Sequence, residues 1–576
     1  MNVKTMLLSA FVTTVVLLTA FALAFFVIMP GGFFAVTEEP TYEHYIAAEP
    51  TPTPIPPTPS PTPTPSPTPE PTPEPTPEPT PSPWTLFNPA PLPETDPATF
   101  RGLRWDNSIN DNMSLYPVHF GMPYDYTEVV GVTTFRGNNF RNDPTWGHVV
   151  VNERRLEIRY RLPVGGIAPW SGVGWTGQPV IVQWPYYMQQ IMNIHPHMRR
   201  EGLVEVIQGA MDGFIHFFEL HTGEATRPRI NFGDVIKGGV TVDARGYPLL
   251  FVGQGDRRVI SRFGYFIFSL IDGRELFFLN GLGGWEPRSW GAFDSNPLFD
   301  TANDRFIIAG ENGIIHNFVL NTDFNREEGT ISIAPVMSRY RHMGSRRLGT
   351  ENSPVAFGHY LFFADNAGWI QCLDLRTMEP VWIFDSGDDH DSSLVLEWEE
   401  ENQRLVMFSA TQVDLVRQAG YAQIRKLDAS SGEVLWHRQI FCAYNTAVNG
   451  GVTATPVVGR RGTDIEHLVI HSVARTLRRP SPGTIIAFCK QTGDIEWEFS
   501  MTNFGWSSPV AVYTECGTAY LIVSDASGVM FLLQGSTGEE LYRINLGANV
   551  EASPAVFYNM LVVGTRGNRI FGIEIK

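Results

Sequence analysis

The densest acidic run in the sequence, Asp385-Ser386-Gly387-Asp388-Asp389-His390-Asp391, offers oxygen ligands of the kind a calcium ion takes. It lacks the ligand order of an EF-hand loop, and a solvated turn is the expectation there. His195-Pro196-His197 presents two imidazoles without a further ligand motif to complete a zinc set, and reads as a surface loop. No HExxH, GxSxG or Walker A pattern occurs. The four cysteines, Cys372, Cys442, Cys489 and Cys516, are far apart and form no CxxC, so neither a zinc site nor a redox pair is suggested. What remains is a scattered set: Trp175, Lys237, Arg288, Trp290, Asp294, Glu351, Asn352, Asp389, Asp391, Trp506 and Glu551. Each stands just before or within a recurrent strand opening. Carboxylates, an amide and aromatics brought to one axis could bind a hard cation or a polar ligand. The same residue types also cap strands, pair with Lys and Arg, or hydrate a channel, so the fold must say which.

The openings are a small polar residue and proline, or a near equivalent, leading an apolar strand. They occur at Gln178-Pro179, Ser295-Asn296-Pro297, Ser353-Pro354, Thr455-Pro456, Ser508-Pro509 and Ser553-Pro554, with degenerate forms at Thr241 and Ser392-Ser393, making eight starts. A hairpin recurs with them. In Lys426-Leu427-Asp428-Ala429-Ser430-Ser431-Gly432-Glu433-Val434-Leu435-Trp436, alternating residues run into a polar turn with glycine, and an aromatic returns four residues later. Alternation is the period of a half-buried strand, and glycine supplies the positive φ of the turn. Segments ending in Trp497, Tyr542 and Phe277 keep this spacing, whereas the copy ending in Trp382 lacks the glycine and the one at Leu220–Glu224 has Arg227 in the aromatic's place. Units of roughly 40 to 60 residues with four short strands each are propeller blades. An all-β, eight-bladed β-propeller is expected, with seven blades the alternative. The last unit stops at Lys576 before a fourth strand, and the isolated alternating stretch from Leu156 to Leu162 can supply it, closing the ring.

Ahead of the propeller, assigned to 151–576, the sequence divides into three. Residues 1–29 contain an uncharged run from Met6 to Met29, long enough at about 1.5 Å per residue to cross a hydrocarbon core of about 30 Å as a transmembrane signal anchor. Lys4 before it and Glu38, Glu39 and Glu43 after it favour a cytoplasmic N-terminus, which places the propeller outside the cell, held to the membrane by this single pass. Residues 30–83 become a Pro/Thr-rich disordered stalk, whose run from Pro50 to Pro83 could as polyproline II reach on the order of 100 Å. Residues 84–150 read as an irregular lead-in over the folded body, containing Thr134-Phe135-Arg136-Gly137-Asn138-Asn139-Phe140-Arg141.

A net charge of −18 argues against nucleic acid as partner. Arg257, Arg258 and Arg262, then Arg339, Arg341, Arg346 and Arg347, then Arg475, Arg478 and Arg479 are assigned to loops on the funnel face, and Glu397, Glu399, Glu400 and Glu401 to a loop on the other face. A basic rim of that kind would suit an anionic wall polymer or an acidic protein segment.

The repeats resemble those of the quinoprotein-type (PQQ-repeat-like) β-propellers, whose signature is Asp-x-x-Thr-Gly-x-x-x-Trp. Asp428 to Trp436 is the nearest match, with Ser431 for Thr, and Phe135-Arg136-Gly137-Asn138 resembles the lead-in of many members. The family contains pyrroloquinoline-quinone (PQQ) dehydrogenases and cofactor-free scaffold propellers. In the former, the resemblance implies calcium, acidic and amide ligands, a Trp floor and adjacent cysteines around the quinone. No two cysteines are adjacent here. The favoured reading is therefore a membrane-anchored extracellular binding or scaffold module without cofactor, its funnel lined by Trp175, Lys237, Arg288, Trp290, Asp294, Glu351, Asn352, Asp391, Trp506 and Glu551. The alternatives are a PQQ- and calcium-dependent oxidoreductase using Glu351, Asn352 or Asp391 as calcium ligands or base, and a carbohydrate-binding surface protein.

Overall fold

The computed structural model describes residues 83–576 except 101, 111–112, 114–116, 345–347, 447 and 478–481. The expected anchor and all but the last residue of the expected stalk lie outside the described residues. Among those described, no helix is long and apolar enough to cross a membrane.

Runs of β-branched and aromatic residues broken by Gly, Pro and Asn turns give short antiparallel sheets. Eight sheets form the blades, with first strands at Val180–Gln183, Thr241–Val242, Leu298–Asp300, Val355–Phe357, Val395–Glu399, Val457–Val458, Val510–Tyr513 and Ala555–Phe557. Every one follows an opening named above. A further two-stranded hairpin, Asp323–Asn325 with Thr330–Ser332, projects between the third and fourth strands of blade 3. The ring closes as the sequence implies: Leu156–Pro163 pairs antiparallel with Arg569–Ile575 and becomes the outer strand of blade 8.

Packing between blades explains the hairpin signature. A Cβ on Gly493 of blade 6 would fall 2.8 Å from the Trp436 ring of blade 5, and one on Gly432 of blade 5 would fall 2.9 Å from the Trp382 ring of blade 4. The glycine thus serves twice, for its positive φ and as a seat for the neighbour's indole. Each indole N–H also finds a carbonyl in the next blade, Trp436 Nε1 to Lys490 at 2.7 Å and Trp382 Nε1 to Ala429 at 3.0 Å. At the seam, Tyr160 of the closing strand takes the Trp position against Gly223 of blade 1.

The openings make a second, inner fastening. The Asn296 N–H donates to Ser353 Oγ (2.9 Å), Ser353 N–H to Ser393 Oγ (2.9 Å), Ser393 N–H to Thr455 Oγ1 (3.2 Å), Thr455 N–H to Ser508 Oγ (3.0 Å) and Ser508 N–H to Ser553 Oγ (3.2 Å). Ser553 N–H continues to the Thr176 carbonyl and Gly177 N–H to the Lys237 carbonyl, while Asn296 Nδ2 donates to Thr241 Oγ1. Hydrogen bonds therefore run around the axis from blade to blade. A hydroxyl is small enough for that crowded centre, and the proline that follows lacks an N–H that would need a partner.

Residues 84–150 do more than lie over the body. Leu103–Ser108 adds a fifth strand to the outside of blade 3, Val130–Val132 pairs with the inner strand of blade 1, and Thr145–Trp146 runs parallel to the inner strand of blade 8. Between the last two, residues 133–144 enter the channel. Arg136 donates to the carbonyls of Pro509 (2.7 Å) and Pro456 (2.8 Å), and Arg141 to those of Pro354 (3.0 Å), Asn296 (2.8 Å) and Pro297 (3.1 Å). Both arginines are fully buried, and the carbonyls of the Pro openings supply their acceptors. Burial lowers each guanidinium to about 10, which leaves it charged at neutral pH.

Candidate functional site

First strands start on the funnel face, and the loops between second and third strands return to it. The arginine plug bonds to the opening residues and those after them. In six of the eight blades the residue two positions before the opening is left at the mouth, where a blind pocket of about 470 Å³ forms. Seven of the ten expected site residues line it: Trp175, Lys237, Asp294, Glu351, Asp391, Trp506 and Glu551. The other three do not. Asn352 is buried in the scaffold, donating to the carbonyls of Ala364 (3.0 Å) and His390 (2.7 Å). Arg288 lies behind the wall, 3.7 Å from Glu311 and bonded to Asn366 Oδ1. Trp290 packs edge-on against Phe263 at 5.1 Å between ring centres.

On the wall, Lys237 Nζ lies 3.0 Å from Asp294 Oδ2, and Arg566 pairs with Glu551 at 2.8 Å. Both cations also stand over the Trp170 ring, at 5.4 and 5.5 Å from its centre, and Trp170 Nε1 donates to Asp256. Asp294, Glu311 and Glu351 bring carboxylate oxygens within 4.8 Å of one another. Burial, with the charge of Glu351 adding to it, lifts Asp294 to about 6 against the pull of Lys237, and lifts Glu311 well above the usual range. Asp389 and Asp391 are raised for the same reasons, by burial first and by neighbouring carboxylates second. Burial opposes the charge on Lys237, yet Asp294, Glu311 and Glu351 together hold its amine above the ordinary value.

The acidic run Asp385–Asp391 is not the solvated turn expected. Asp388 and Asp389 are buried, and the side chains serve different neighbours: Asp388 accepts from the N–H groups of Asp414 and Leu415, Asp389 from Asn366 Nδ2, Asp391 from Gln412 Nε2. Asp389 and Asp391 face inward because an opening follows them. His195 and His197 stack on each other, with His197 Nε2 3.4 Å from Glu224. The four cysteines are unpaired.

The arginine rim is corrected in part. Arg257, Arg258, Arg262 and Arg475 do sit between second and third strands, but Arg339 and Arg341 belong to Val336–Gly344, an outer strand, where both cover the Trp285 ring. Arg346, Arg347, Arg478 and Arg479 lie outside the described residues. Glu397 and Glu399 are likewise on a strand, Val395–Glu399, paired with Lys490 and Lys426.

Sequence reasoning missed Glu311, Trp170, Met211, Gln412, Asn449, Phe504, Asn549 and Arg566. Three of these, Met211, Glu311 and Arg566, lie in loops between second and third strands, which the propeller geometry already assigned to the funnel. Gly310-Glu311-Asn312-Gly313 was the signal available for Glu311.

Residues 481–576 match the family model described as outer membrane protein assembly factor BamB. Residues 481–576 thus carry repeats of the PQQ type, in a chain that folds as an eight-bladed β-propeller. Among solved structures, the chain is similar to the quinohemoprotein alcohol dehydrogenase from Comamonas testosteroni, with a TM-score of 0.51 and 13% identity over 81% of this chain and 82% of that one. It is also similar to BamB from Moraxella catarrhalis, with a TM-score of 0.45 and 17% identity over 73% and 98%. Among curated proteins, an 89-residue segment is 26% identical to the Homo sapiens beta-alanine-activating enzyme and 28% identical to the Mus musculus protein. It spans 15% of this chain and 8% of either relative. The likeness to the Comamonas testosteroni structure, at low identity, concerns the fold alone.

Whether the funnel of this propeller suits the quinone is a question of donors. Pyrroloquinoline quinone is a tricarboxylate, and needs cations or N–H donors facing it. Here the lining side chains include four carboxylates against Lys237 and Arg566, and each of those cations is already paired with a carboxylate. Amide and indole N–H groups of Gln412, Asn449, Asn549, Trp175 and Trp506 also line the pocket, but on charge the residues do not fit the quinone. Asp294, Glu311 and Glu351 do offer a hard cation its oxygen ligands.

Proposed function

We propose that this chain is a binding module held at the outer surface of the cell, which takes a ligand in its funnel without transforming it. One observation carries the reading. The hydroxyl and proline positions that fasten the ring repeat from blade to blade, while in six of the eight blades the positions two residues earlier, Asp294, Glu351, Asp391, Thr453, Trp506 and Glu551, follow no repeat and line one blind pocket. The scaffold does not require their variety, and a ligand does. The described chain enters at Pro83, and Phe87 packs on Phe357, Tyr360 and Phe362 around the turn between first and second strands of blade 4, on the face opposite the funnel. An anionic wall polymer or acidic segment has less to recommend it at this site, because the funnel wall is acid-rich.

Two measurements test this. Protease treatment of intact cells should release a propeller fragment cut within 30–83, and a fragment protected until lysis would overturn the surface location. Incubation with calcium and quinone should give neither quinone absorbance on the protein nor dye reduction, and turnover would establish the oxidoreductase reading instead.

A further inference from the structure

The order of the blades polarises the funnel. Successive blades are neighbours around the ring, as the contacts of Trp382 with Gly432, Trp436 with Gly493 and Tyr160 with Gly223 show. In an eight-bladed ring each blade therefore faces the fourth one after it. Asp294, Glu351 and Asp391 come from blades 3, 4 and 5 and form one continuous acidic arc. Trp506 precedes blade 7 and Trp175 precedes blade 1, with Trp170 and Phe504 beside them, so an aromatic wall, interrupted at blade 8 by the Glu551–Arg566 pair, stands across the axis from the acids.

Charge on the two sides is unequal in a second respect. Lys237 answers Asp294 and Arg566 answers Glu551, but among the described residues no Lys or Arg comes within 4.0 Å of Glu351 or Asp391. Their contacts are amides, Asn366 Nδ2 for Glu351 and Gln412 Nε2 for Asp391. Asp294, 1% exposed, keeps Oδ1 without a hydrogen-bond partner among the described residues, as does Glu311 at Oε1. Buried carboxylates with unused lone pairs need a cation or a proton. The raised proton affinities of Asp389 and Asp391 express the same deficit.

We infer that the funnel binds an organic ammonium ion carrying a hydrocarbon body, its charge set against Glu351 and Asp391 and its apolar part against Trp506, Trp175 and Trp170. A metal ion alone would satisfy the acids and leave the facing indoles idle. An ammonium with a hydrophobic body uses both arcs, through charge-assisted hydrogen bonds on one side and burial or cation–π attraction on the other. The pocket volume of about 470 Å³ admits a molecule of that size. This inference rests on the reading of the funnel as a binding site and names its ligand class.

The test is calorimetric titration of the full-length chain with phenethylammonium, 2-phenylethanol and phenylacetate, which share a body and differ in charge. Phenethylammonium should bind at least about tenfold tighter than the alcohol, a difference of about 1.4 kcal/mol, with phenylacetate weaker still. Glu351→Gln and Asp391→Asn should each weaken phenethylammonium about tenfold, with the alcohol's weaker binding unchanged, which also shows that the variants are folded. Trp506→Ala should weaken all probes together. Equal binding of the three probes, preference for phenylacetate, or calcium binding without any amine binding would each overturn the inference. None of these outcomes touches the non-enzymatic reading, which falls only if quinone binds and turns over.

Discussion

Lys237 of blade 2 and Asp294 of blade 3 meet across a blade boundary at 3.0 Å, and the ammonium also stands over the Trp170 ring. The pair couples the scaffold to the funnel, because Asp294 is nearly wholly buried and its folded proton affinity is raised to about 6 from an ordinary 3.8. A carboxyl with a raised folded pKa binds its proton more tightly in the folded than in the unfolded state. Its contribution to stability is therefore fully present below about pH 4 and is lost as pH rises through about 6. Comparing thermal midpoints at pH 5 and 7, the native chain should gain more on acidification than Asp294→Asn does. An equal gain in both would remove Asp294 as the source.

The arginine plug yields a stability prediction. Arg136→Met would leave the carbonyls of Pro456 and Pro509 without their guanidinium donors at the centre of the ring. Urea denaturation should show a loss of about 3 kcal/mol or more, since hydrogen bonds from a charged donor contribute about 1.5–3 kcal/mol each. Arg136→Lys should recover only part of it, because a single ammonium lacks the planar fork that spans two carbonyls. Full recovery by Lys would mean that charge, and not geometry, holds the plug.

The two roles of glycine can be separated by experiment. Gly387 has φ +91 with nothing near its Cβ position, whereas Gly493 has φ +75 and faces the Trp436 ring. Gly387→Ala should cost about 1 kcal/mol for the left-handed backbone alone. Gly493→Ala should cost that plus about 1–3 kcal/mol of overpacking. The excess should shrink when Trp436→Leu is added, and strict additivity in that double-mutant cycle would refute the packing account.

Around the axis, Ser508 Oγ accepts the Thr455 N–H and Ser508 N–H donates to Ser553 Oγ. Ser508→Ala removes one link and leaves a buried N–H unpaired, at a cost of about 1–3 kcal/mol. Ser508→Thr keeps the hydroxyl, as Thr455 does in its own blade, and should restore most of the loss in a denaturation midpoint.

Much of the fold was legible because the repeat leaves a periodic trace. All eight openings, the hairpins and the closing strand from Leu156 were readable from alternation, turn glycines and spacing, which are local properties. The lead-in was not. Phe135 to Arg141 has no period, and its order comes from carbonyls of residues hundreds of positions away, such as Pro456 and Pro509. The funnel was partly legible, since residues before an opening must reach the mouth in any propeller. Asn352 was misassigned because the direction of a side chain one residue before an opening depends on local backbone twist, which turns it toward Ala364 and His390.

The sequence by itself determined the eight-bladed ring, its seam and seven of the residues that line the funnel, because strand period and turn chemistry act over a few residues at a time. Only the tertiary structure decided how that set is shared out. It sealed the axis with Arg136 and Arg141, paired Lys237 with Asp294 and Arg566 with Glu551, and left Glu351 and Asp391 on an acidic arc with no Lys or Arg within 4.0 Å among the described residues. Those outcomes depend on distances across the ring, which closure of the fold creates and no stretch of sequence contains.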